Sequence, residues 1–305
     1  MLVSTALHRG ALPVLILLGG LTHQCLAFTC NPTLAVRPGP SAKSVTPFVN
    51  PSHTKRSVAW TGVMEDRPPQ LSDRLSEYVA AEPAEAWVDY AKLSSEGEGW
   101  LAEVIGIIKA TDPTTLSTGD RHAFLINAYN LWTIHWVLSE RKNRRWKGHL
   151  GTLDKARFFY LHKVSTGAGK YNLYNFENKV IRPEVRDARV HFALNCASVS
   201  CPPLRRSLYT GANLDSELDE VTSAAVNGGA MVQPGTDDVI RVNPIFKWYK
   251  EDFDKEGGVV AFLSKHWKGA TPLPDNAKLE FFEYDWRQNS IDAPWTDRQL
   301  AGPAP

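Results

Sequence analysis

The sequence predicts a single α+β domain in which a buried central helix packs on a modest mixed sheet, with several helices around them. Three observations support this fold class. Helical patterns outnumber strand patterns, and the two alternate along the chain. Residues 120–140 carry apolar side chains on nearly every face, as a helix buried on most sides does. The strand-like runs are short, so the sheet should be small.

The composition is that of an ordinary globular protein, with 43% hydrophobic and 22% charged residues. Lys and Arg number 34 against 33 Asp and Glu, which excludes a nucleic-acid binder that relies on bulk positive charge. Four cysteines exclude a disulfide-dense scaffold. No apolar run approaches the ~20 residues of a membrane-spanning helix. We therefore expect a small-molecule or peptide substrate or a protein partner, no nucleic acid, and no transmembrane helix in the mature chain.

The N-terminal part of the chain is predicted to be a targeting leader, because its first 64 residues contain no Asp or Glu. Residues 1–27 have the apolar run of a signal peptide, with Cys25 and Ala27 as small residues before a cut. Residues 28–64 have the composition of a transit peptide. This order resembles the two-part leader of algae with complex plastids, which implies a plastid location. There are two alternatives. One is a secretion signal followed by a disordered linker, and the other is an uncleaved membrane anchor.

The globular domain is expected at residues 65–290, and a flexible tail at residues 291–305. Two of the four cysteines, Cys25 and Cys30, lie in the predicted leader. The mature domain is therefore expected to keep only the two cysteines near residue 200.

The central helix is the strongest local prediction, running from Asp120 as its N-cap to Glu140. It carries two amides, Asn127 and Asn130, whose spacing places them on the same side of the helix. A buried amide without a partner costs ~1–3 kcal/mol, so we expect both to be hydrogen-bonded.

The other elements are predicted from periodicity and from breaker residues. Helices are expected within residues 71–109 and at 173–182, 214–226, 244–253 and 259–266. Pro183 should stop the helix that precedes it. Strands are expected at 158–164, 189–194, 238–242 and 278–283. The 189–194 strand would carry His191 on its more polar face.

The chemistry is concentrated in residues 189–204, where His191 and Asn195 precede Cys196 and Cys201. The thiolate is the reactive form of cysteine, so a catalytic thiol needs an imidazole that lowers its pKa or accepts its proton. Cys201, beyond the turn, can fold back towards His191 more easily than Cys196 can. A third group should orient the imidazole. The candidates for that group are Asn127, Asn130, Glu177 and Asp285.

Three other interpretations of the cysteines remain open. In the first interpretation, Cys196 and Cys201 form a disulfide or a redox pair. In the second they bind zinc with His191, although their spacing fits zinc sites poorly. In the third they are buried structural thiols. Residues 166–170 (TGAGK) lack the spacing of a phosphate-binding loop, so we expect no nucleotide or other cofactor, and we favour no metal.

Five short segments resemble, in order, those of the domain of unknown function 547 family. They are AFLINAYNLWTIH (123–135), KYNLYNFENKVIR (170–182), RVHFALNCASVSCPPL (189–204), FKWYKEDF (246–253) and EYDWRQN (283–289). The activity of that family is not established, so the resemblance implies a fold and a set of pattern residues. These are Asn127, Asn130, Glu177, Arg182, His191, Asn195, Cys196, Cys201 and Pro202. Family members often carry His where this chain has Asn178.

A buried helix followed by a histidine-bearing strand also resembles papain-like and transglutaminase-like cysteine hydrolases, an analogy of fold alone. The favoured hypothesis is a thiol-dependent hydrolase or acyl transferase. In it Cys201 or Cys196 attacks, and His191 is the base. Asn195 or a loop amide then stabilises the oxyanion. One alternative is a non-catalytic binding or scaffold domain with a buried polar network. Another is a redox-responsive regulator that uses the Cys196 and Cys201 pair.

Overall fold

The computed structural model describes residues 73–80, 87–142, 149, 151–236 and 238–291. The predicted leader segments, 1–27 and 28–64, lie outside the described residues with their two cysteines, and so does the tail beyond Ile291. Within the described ranges, no helix is long and apolar enough to cross a bilayer.

Helices and short strands alternate along the described chain, which confirms the α+β prediction. The α-helices are Leu75–Tyr78 (α1), Tyr90–Lys92 (α2), Glu98–Ala110 (α3), Thr118–Lys142 (α4), Thr152–Leu161 (α5), Leu173–Asn175 (α6), Arg182–Val185 (α7), Leu214–Asn227 (α8), Ile245–Trp248 (α9), Lys250–Asp254 (α10) and Val259–His266 (α11). Two π-helical segments, Leu93–Gly97 and Phe176–Ile181, and two 3-10 segments, Pro113–Thr115 and Ala188–Phe192, connect them. The strands are Lys163–Thr166 (β1), Gly169–Asn172 (β2), Val232–Pro234 (β3), Val239–Val242 (β4) and Lys278–Phe281 (β5).

The described strands form two small sheets where one was expected. β1 and β2 make an antiparallel hairpin. β4 pairs antiparallel with β3 and parallel with β5, with Ile240 opposite Leu279, so this second sheet is mixed as predicted. The hairpin lies against α4, where Trp132 Nε1 donates a hydrogen bond to the carbonyl of Ser165 at 3.2 Å. The central helix therefore packs on the hairpin.

The central helix α4 is buried on most sides, as predicted, and every residue from Ala123 to Ile134 is buried. Its start differs from the prediction, because the helix begins at Thr118. The N–H of Asp120 donates to Ser117 Oγ at 3.3 Å, and that hydroxyl donates to the Asp120 carboxylate at 2.6 Å. Ser117 therefore caps the helix, and Asp120 lies in its first turn.

Both amides of α4 are hydrogen-bonded, as predicted. Asn127 Nδ2 donates to the carbonyl of Tyr209 at 2.8 Å, and the N–H of Tyr209 donates back to Asn127 Oδ1 at 2.9 Å. Asn130 Nδ2 donates to the carbonyl of Ala193 at 2.9 Å and accepts from the N–H of Asn195 at 2.9 Å. Each amide thus satisfies two backbone groups of a loop and holds that loop on the helix.

Two hydrophobic clusters form the core, one around α4 and one around the mixed sheet and α11. The 3-10 segment Ala188–Phe192 lies where they meet, because Val190 belongs to the first cluster and Phe192 to the second. This position buries His191, which is 3% exposed.

Several C-terminal predictions are confirmed within a residue or two. They are the helices at 214–226 and 259–266 and the strands at 238–242 and 278–283. The helix predicted at 244–253 is present in two pieces, α9 and α10, which meet at Tyr249.

The strand predicted at 189–194 is wrong. Asp187 Oδ1 accepts a hydrogen bond from the N–H of Arg189 and caps a 3-10 segment, so the chain coils here instead of extending. The alternation of apolar and polar residues was misleading, because both sides of the segment face protein. His191 is consequently buried rather than on a polar face.

The strand predicted at 158–164 is also wrong, because most of it belongs to α5, and β1 begins at Lys163. The N–H of Gly151 donates to Asp154 Oδ2 at 3.1 Å and caps this helix. Phe158 is buried, while Leu161 is 65% exposed, which is the pattern of a helix with one buried face.

The helix predicted to stop before Pro183 continues to Val185 and ends at Arg186, whose φ is 55°. A π-helical stretch, Phe176–Ile181, shifts the hydrogen-bond register ahead of the proline. Pro183 then lies in the first turn of α7, where a missing N–H is tolerated.

Replacing Asn130 with alanine should destabilise the protein. The substitution leaves the carbonyl of Ala193 and the N–H of Asn195 buried without their partner. We expect the free energy of unfolding to fall by ~2–4 kcal/mol in urea titrations. Asn276→Ala, at an exposed position, is the control and should change it by less than ~0.5 kcal/mol. Equal effects of the two substitutions would contradict this role of Asn130.

Candidate functional site

Asn195 links the two ends of the loop that follows the 3-10 segment. Its Nδ2 donates to the carbonyl of Pro202 at 2.7 Å, and its Oδ1 accepts from the N–H of Ala197 at 2.9 Å. Its own N–H is bound by Asn130 on the central helix. Asn195 therefore joins both ends of the loop that carries Cys196 and Cys201. Its Nδ2 already donates to the carbonyl of Pro202, and its role as an oxyanion donor stays a prediction.

The two cysteines are free thiols, and each residue is partly exposed. The N–H of Cys196 donates to Cys201 Sγ at 2.9 Å. Cys196 Sγ lies 3.3 Å from Ser198 Oγ and 3.4 Å from the hydroxyl of Tyr284. The structure therefore brings the two predicted thiols together and places two hydroxyls beside Cys196 Sγ.

This environment separates the pKa values of the two thiols. Burial raises the pKa of Cys196, but hydrogen bonds from Cys201, Ser198 and Tyr284 outweigh burial and lower it to about 7. Burial and the neighbouring Cys196 sulfur raise the pKa of Cys201 well above its usual value. Cys196 is therefore the thiol of the pair that ionises more readily near neutral pH, and Cys201 keeps its proton, which it donates to the carbonyl of Leu194.

A carboxylate, Glu177, lies between two phenols beside the thiols. Tyr129 on the central helix donates to its Oε2 at 3.0 Å, and Tyr249 donates to its Oε1. Burial raises the pKa of Tyr129 well above its usual value, and the charges of Glu177 and Cys196 raise it further. The charges of Glu177 and Cys196 therefore both disfavour ionisation of Tyr129. The π-helical segment Phe176–Ile181 is what places Glu177 here.

His191 is bound to a carboxylate that the sequence did not single out, Asp252. The Nε2 of His191 lies 2.9 Å from Asp252 Oδ2, and its ring stacks on Tyr249 with centroids 3.9 Å apart. Burial lowers the pKa of His191. The imidazole is therefore neutral and donates from Nε2, while its Nδ1 has no hydrogen-bond partner. Among the described residues, no hydrogen bond joins His191 to either thiol, so the predicted Cys–His contact is not formed.

Asp252 is held ionised by three donors. Arg182 Nε donates at 2.7 Å and Lys255 Nζ at 2.8 Å, in addition to His191. Burial raises the pKa of this carboxyl, but the three donors hold it well below its usual range. Arg182 also donates to Asn178 Oδ1 at 2.7 Å. At the position where the resembling family often has His, this chain thus has an amide that supports an arginine.

Residues 113–224 match the family model described as Protein of unknown function, DUF547. We refer to this segment as the DUF547 region. No curated protein and no solved structure matches the chain. The DUF547 region holds both thiols, Glu177 and His191. Three residues that complete the site, Tyr249, Asp252 and Tyr284, lie beyond the matched residues.

The structure separates the predicted site residues into two groups. Cys196, Cys201 and Glu177 lie in one cluster with the phenols, and His191 adjoins it through Tyr249. Asn127 binds only the backbone of a distant loop. Asn130 and Asn195 position the cysteine loop. Asp285 binds Arg287 and the loop residue Ser200. None of the four candidate groups is therefore hydrogen-bonded to the imidazole.

The sequence alone did not point to the three tyrosines or to Asp252, because the expected site consisted of a thiol, an imidazole and a group that orients the imidazole. The signal that could have found them is the pair of motif segments FKWYKEDF and EYDWRQN. These segments lie after the DUF547 region and contain Tyr249, Asp252 and Tyr284. Tyrosine and aspartate in short motifs that lie far along the chain from the central helix indicate that these segments fold back onto the same site.

No group of three or more His, Cys, Asp or Glu residues among the described ones is placed to hold a metal ion. The structure therefore does not bring Cys196, Cys201 and His191 together as a set of metal ligands.

Replacing Tyr284 with phenylalanine should raise the pKa of Cys196, because the thiolate loses a donor. The alkylation rate of Cys196 by iodoacetamide, followed by peptide mass spectrometry, should be half-maximal near pH 7 in the wild type. In Tyr284→Phe the midpoint should move upward. Tyr160→Phe, at an exposed position, is the control and should leave it unchanged. A midpoint that does not move in Tyr284→Phe would show that the phenol does not stabilise the thiolate.

Replacing Asp252 with asparagine should destabilise the protein in a pH-dependent manner. The folded-state pKa of Asp252 lies below its unfolded value. Its contribution is therefore complete above the unfolded pKa and is lost as the pH falls. We expect a loss of ~2–3 kcal/mol in the free energy of unfolding above about pH 5, which shrinks below about pH 4.

The control for this measurement is Asp254→Asn, at an exposed carboxylate paired with Lys250. Urea titrations across the same pH range should show a loss of less than ~1 kcal/mol for this variant. A pH-independent loss in Asp252→Asn would mean that packing, not charge, accounts for the effect.

Proposed function

We propose that this chain is a thiol-dependent enzyme that carries out thiol–disulfide exchange, with Cys196 as the nucleophile and Cys201 as the resolving thiol. One observation carries the proposal: the N–H of Cys196 donates to Cys201 Sγ at 2.9 Å, so the two sulfur-bearing residues are adjacent in a loop fixed by Asn195. Both cysteine residues are partly exposed, so the loop that carries them lies near the surface.

The chemistry needs only the two thiols and a disulfide substrate. The Cys196 thiolate attacks one sulfur of the substrate, an S–S bond forms to the protein, and the substrate S–S bond breaks to release a thiolate that takes a proton from water. Cys201 then loses its proton to solvent and attacks the Cys196 sulfur. The second substrate half leaves as a thiol. The substrate is reduced by two electrons, and the protein dithiol becomes a disulfide, which a low-molecular-weight thiol can reduce again.

The surrounding residues support this assignment of roles. Ser198 and Tyr284 contact Cys196 Sγ and stabilise its charged form. Cys201 has fewer donors and keeps its proton until the mixed disulfide has formed. The low pKa of Cys196 raises its thiolate fraction near neutral pH, which favours the first step of exchange.

A second candidate is the thiol-dependent hydrolase or acyl transferase favoured by the sequence. The observation in its favour is the pair of Asp252 and His191, in which a carboxylate orients a neutral imidazole with a free Nδ1. In this reaction Cys196 would attack an acyl carbon, and His191 would have to move to reach the sulfur. Cys201 has no necessary part in acyl transfer, which makes the two candidates separable.

The experiment uses the full chain with Cys25 and Cys30 replaced by serine, so that only the two site thiols react. The reduced protein is mixed with 2-hydroxyethyl disulfide, a neutral probe, and the products are identified by mass spectrometry. We expect the Cys196–Cys201 disulfide and two released thiols. Cys201→Ser should stop at a mixed disulfide on Cys196, and Cys196→Ser should react at least ~10-fold more slowly, because its remaining thiol is not ionised.

Other outcomes overturn the proposal. An unreactive Cys196, in a protein that unfolds as cooperatively as the wild type, would indicate the scaffold alternative. Cleavage of a thioester probe that requires Cys196 and His191 but persists in Cys201→Ser, without disulfide exchange, would indicate the acyl-transfer enzyme.

A further inference from the structure

Three aromatic side chains form a platform beside the thiol pair. The ring centroids of Trp248 and Tyr284 are 4.7 Å apart, and those of Tyr284 and Trp286 are 4.5 Å apart. All three residues are partly exposed, and the hydroxyl of Tyr284 contacts Cys196 Sγ. This aromatic platform, defined by Trp248, Tyr284 and Trp286, therefore extends from the nucleophile to the surface.

A lysine of α5, Lys155, packs against the platform at Trp286. Its Nζ lies 4.1 Å from the centroid of the Trp286 ring. Lys155 is half-buried, and burial lowers its pKa. No carboxylate among the described residues forms an ion pair with it, and the adjacent Asp154 is turned towards the N–H of Gly151.

Three other basic residues described near the platform carry a compensated charge or none. Arg287 is bound by Asp285, and Arg157 by Glu140. Burial lowers the pKa of His149 to about 4, so this ring is uncharged at neutral pH. Lys155 is therefore a positive charge beside the platform to which no described carboxylate is paired. A partly desolvated cation without a counter-ion is unfavourable until an anion occupies the space beside it.

We infer that Lys155 and the aromatic platform bind a carboxylate-bearing peptide disulfide, with the carboxylate at Lys155 and the S–S bond at Cys196. The inference rests on the proposed function and names the substrate class of the same site. The contacts run from Lys155 through Trp286 and Tyr284 to Cys196. A peptide lying on the platform would span them. A carboxylate fits a single ammonium group, which acts as a point charge.

The test compares three disulfides of different charge on the full chain, with Cys25 and Cys30 replaced by serine and Cys201→Ser added to trap the mixed disulfide. The probes are glutathione disulfide (anionic), 2-hydroxyethyl disulfide (neutral) and cystamine (cationic). The rate of adduct formation on Cys196 is measured by quenched mass spectrometry at low and high salt. We expect glutathione disulfide to react fastest at low salt, and added salt to reduce its advantage.

The Lys155→Gln variant gives the decisive comparison. It should slow the reaction of glutathione disulfide by about five- to tenfold, leave the neutral probe unchanged and speed the reaction of cystamine. Lys109→Gln is the matched control, because Lys109 also lies over a tryptophan ring, that of Trp132, at 5.1 Å. This control should change none of the three rates.

The failure of this inference differs from the failure of the proposed function. If the neutral probe reacts at Cys196 but Lys155→Gln leaves the rate with glutathione disulfide unchanged, the carboxylate site is wrong and thiol–disulfide exchange stands. If none of the three probes reacts at Cys196, the proposed function is wrong, and the carboxylate site falls with it.

Discussion

The amide link between Asn130 on the central helix and the backbone around Asn195 determines the geometry of the site. The Asn130 side chain donates to the carbonyl of Ala193, which precedes the cysteine loop, and accepts from the N–H of Asn195, where the loop begins. Asn195 then closes the loop by bonding to Pro202 and Ala197. Because buried amides are costly when they lack partners, these bonds allow few other loop conformations. The positions of the thiols follow from this arrangement.

A second set of contacts brings the C-terminal third of the chain to the same place. Glu177 accepts from Tyr129 of the central helix and from Tyr249 of the junction between α9 and α10. Asp252 accepts from Arg182 and His191, so its charge is compensated where it is partly buried. These polar contacts join the two hydrophobic clusters. Because hydrogen bonds are directional, they fix the orientation of the clusters relative to each other more precisely than apolar packing alone would. The site is therefore a property of the whole domain and not of the DUF547 region alone.

Local patterns predicted those elements whose surroundings match their periodicity. The central helix was recognisable because a continuous apolar sequence can be buried on all sides, and α8 and α11 because each has a single buried face. The 3-10 segment with His191 was mistaken for a strand, since its alternation arises from packing between two clusters. The π-helical turn before Pro183 was also missed, because a shift in hydrogen-bond register leaves no periodic signal.

The sequence by itself determined the α+β class, the central helix with its two hydrogen-bonded amides, the thiol pair as the chemically pointed residues and the family resemblance. Only the tertiary structure decided that Asp252 binds His191 and that Tyr284 contacts Cys196. The physical reason is separation along the chain. The partners come from segments 61 and 88 residues away, and a hydrogen bond at that distance in sequence depends on the folded path, which no local pattern encodes.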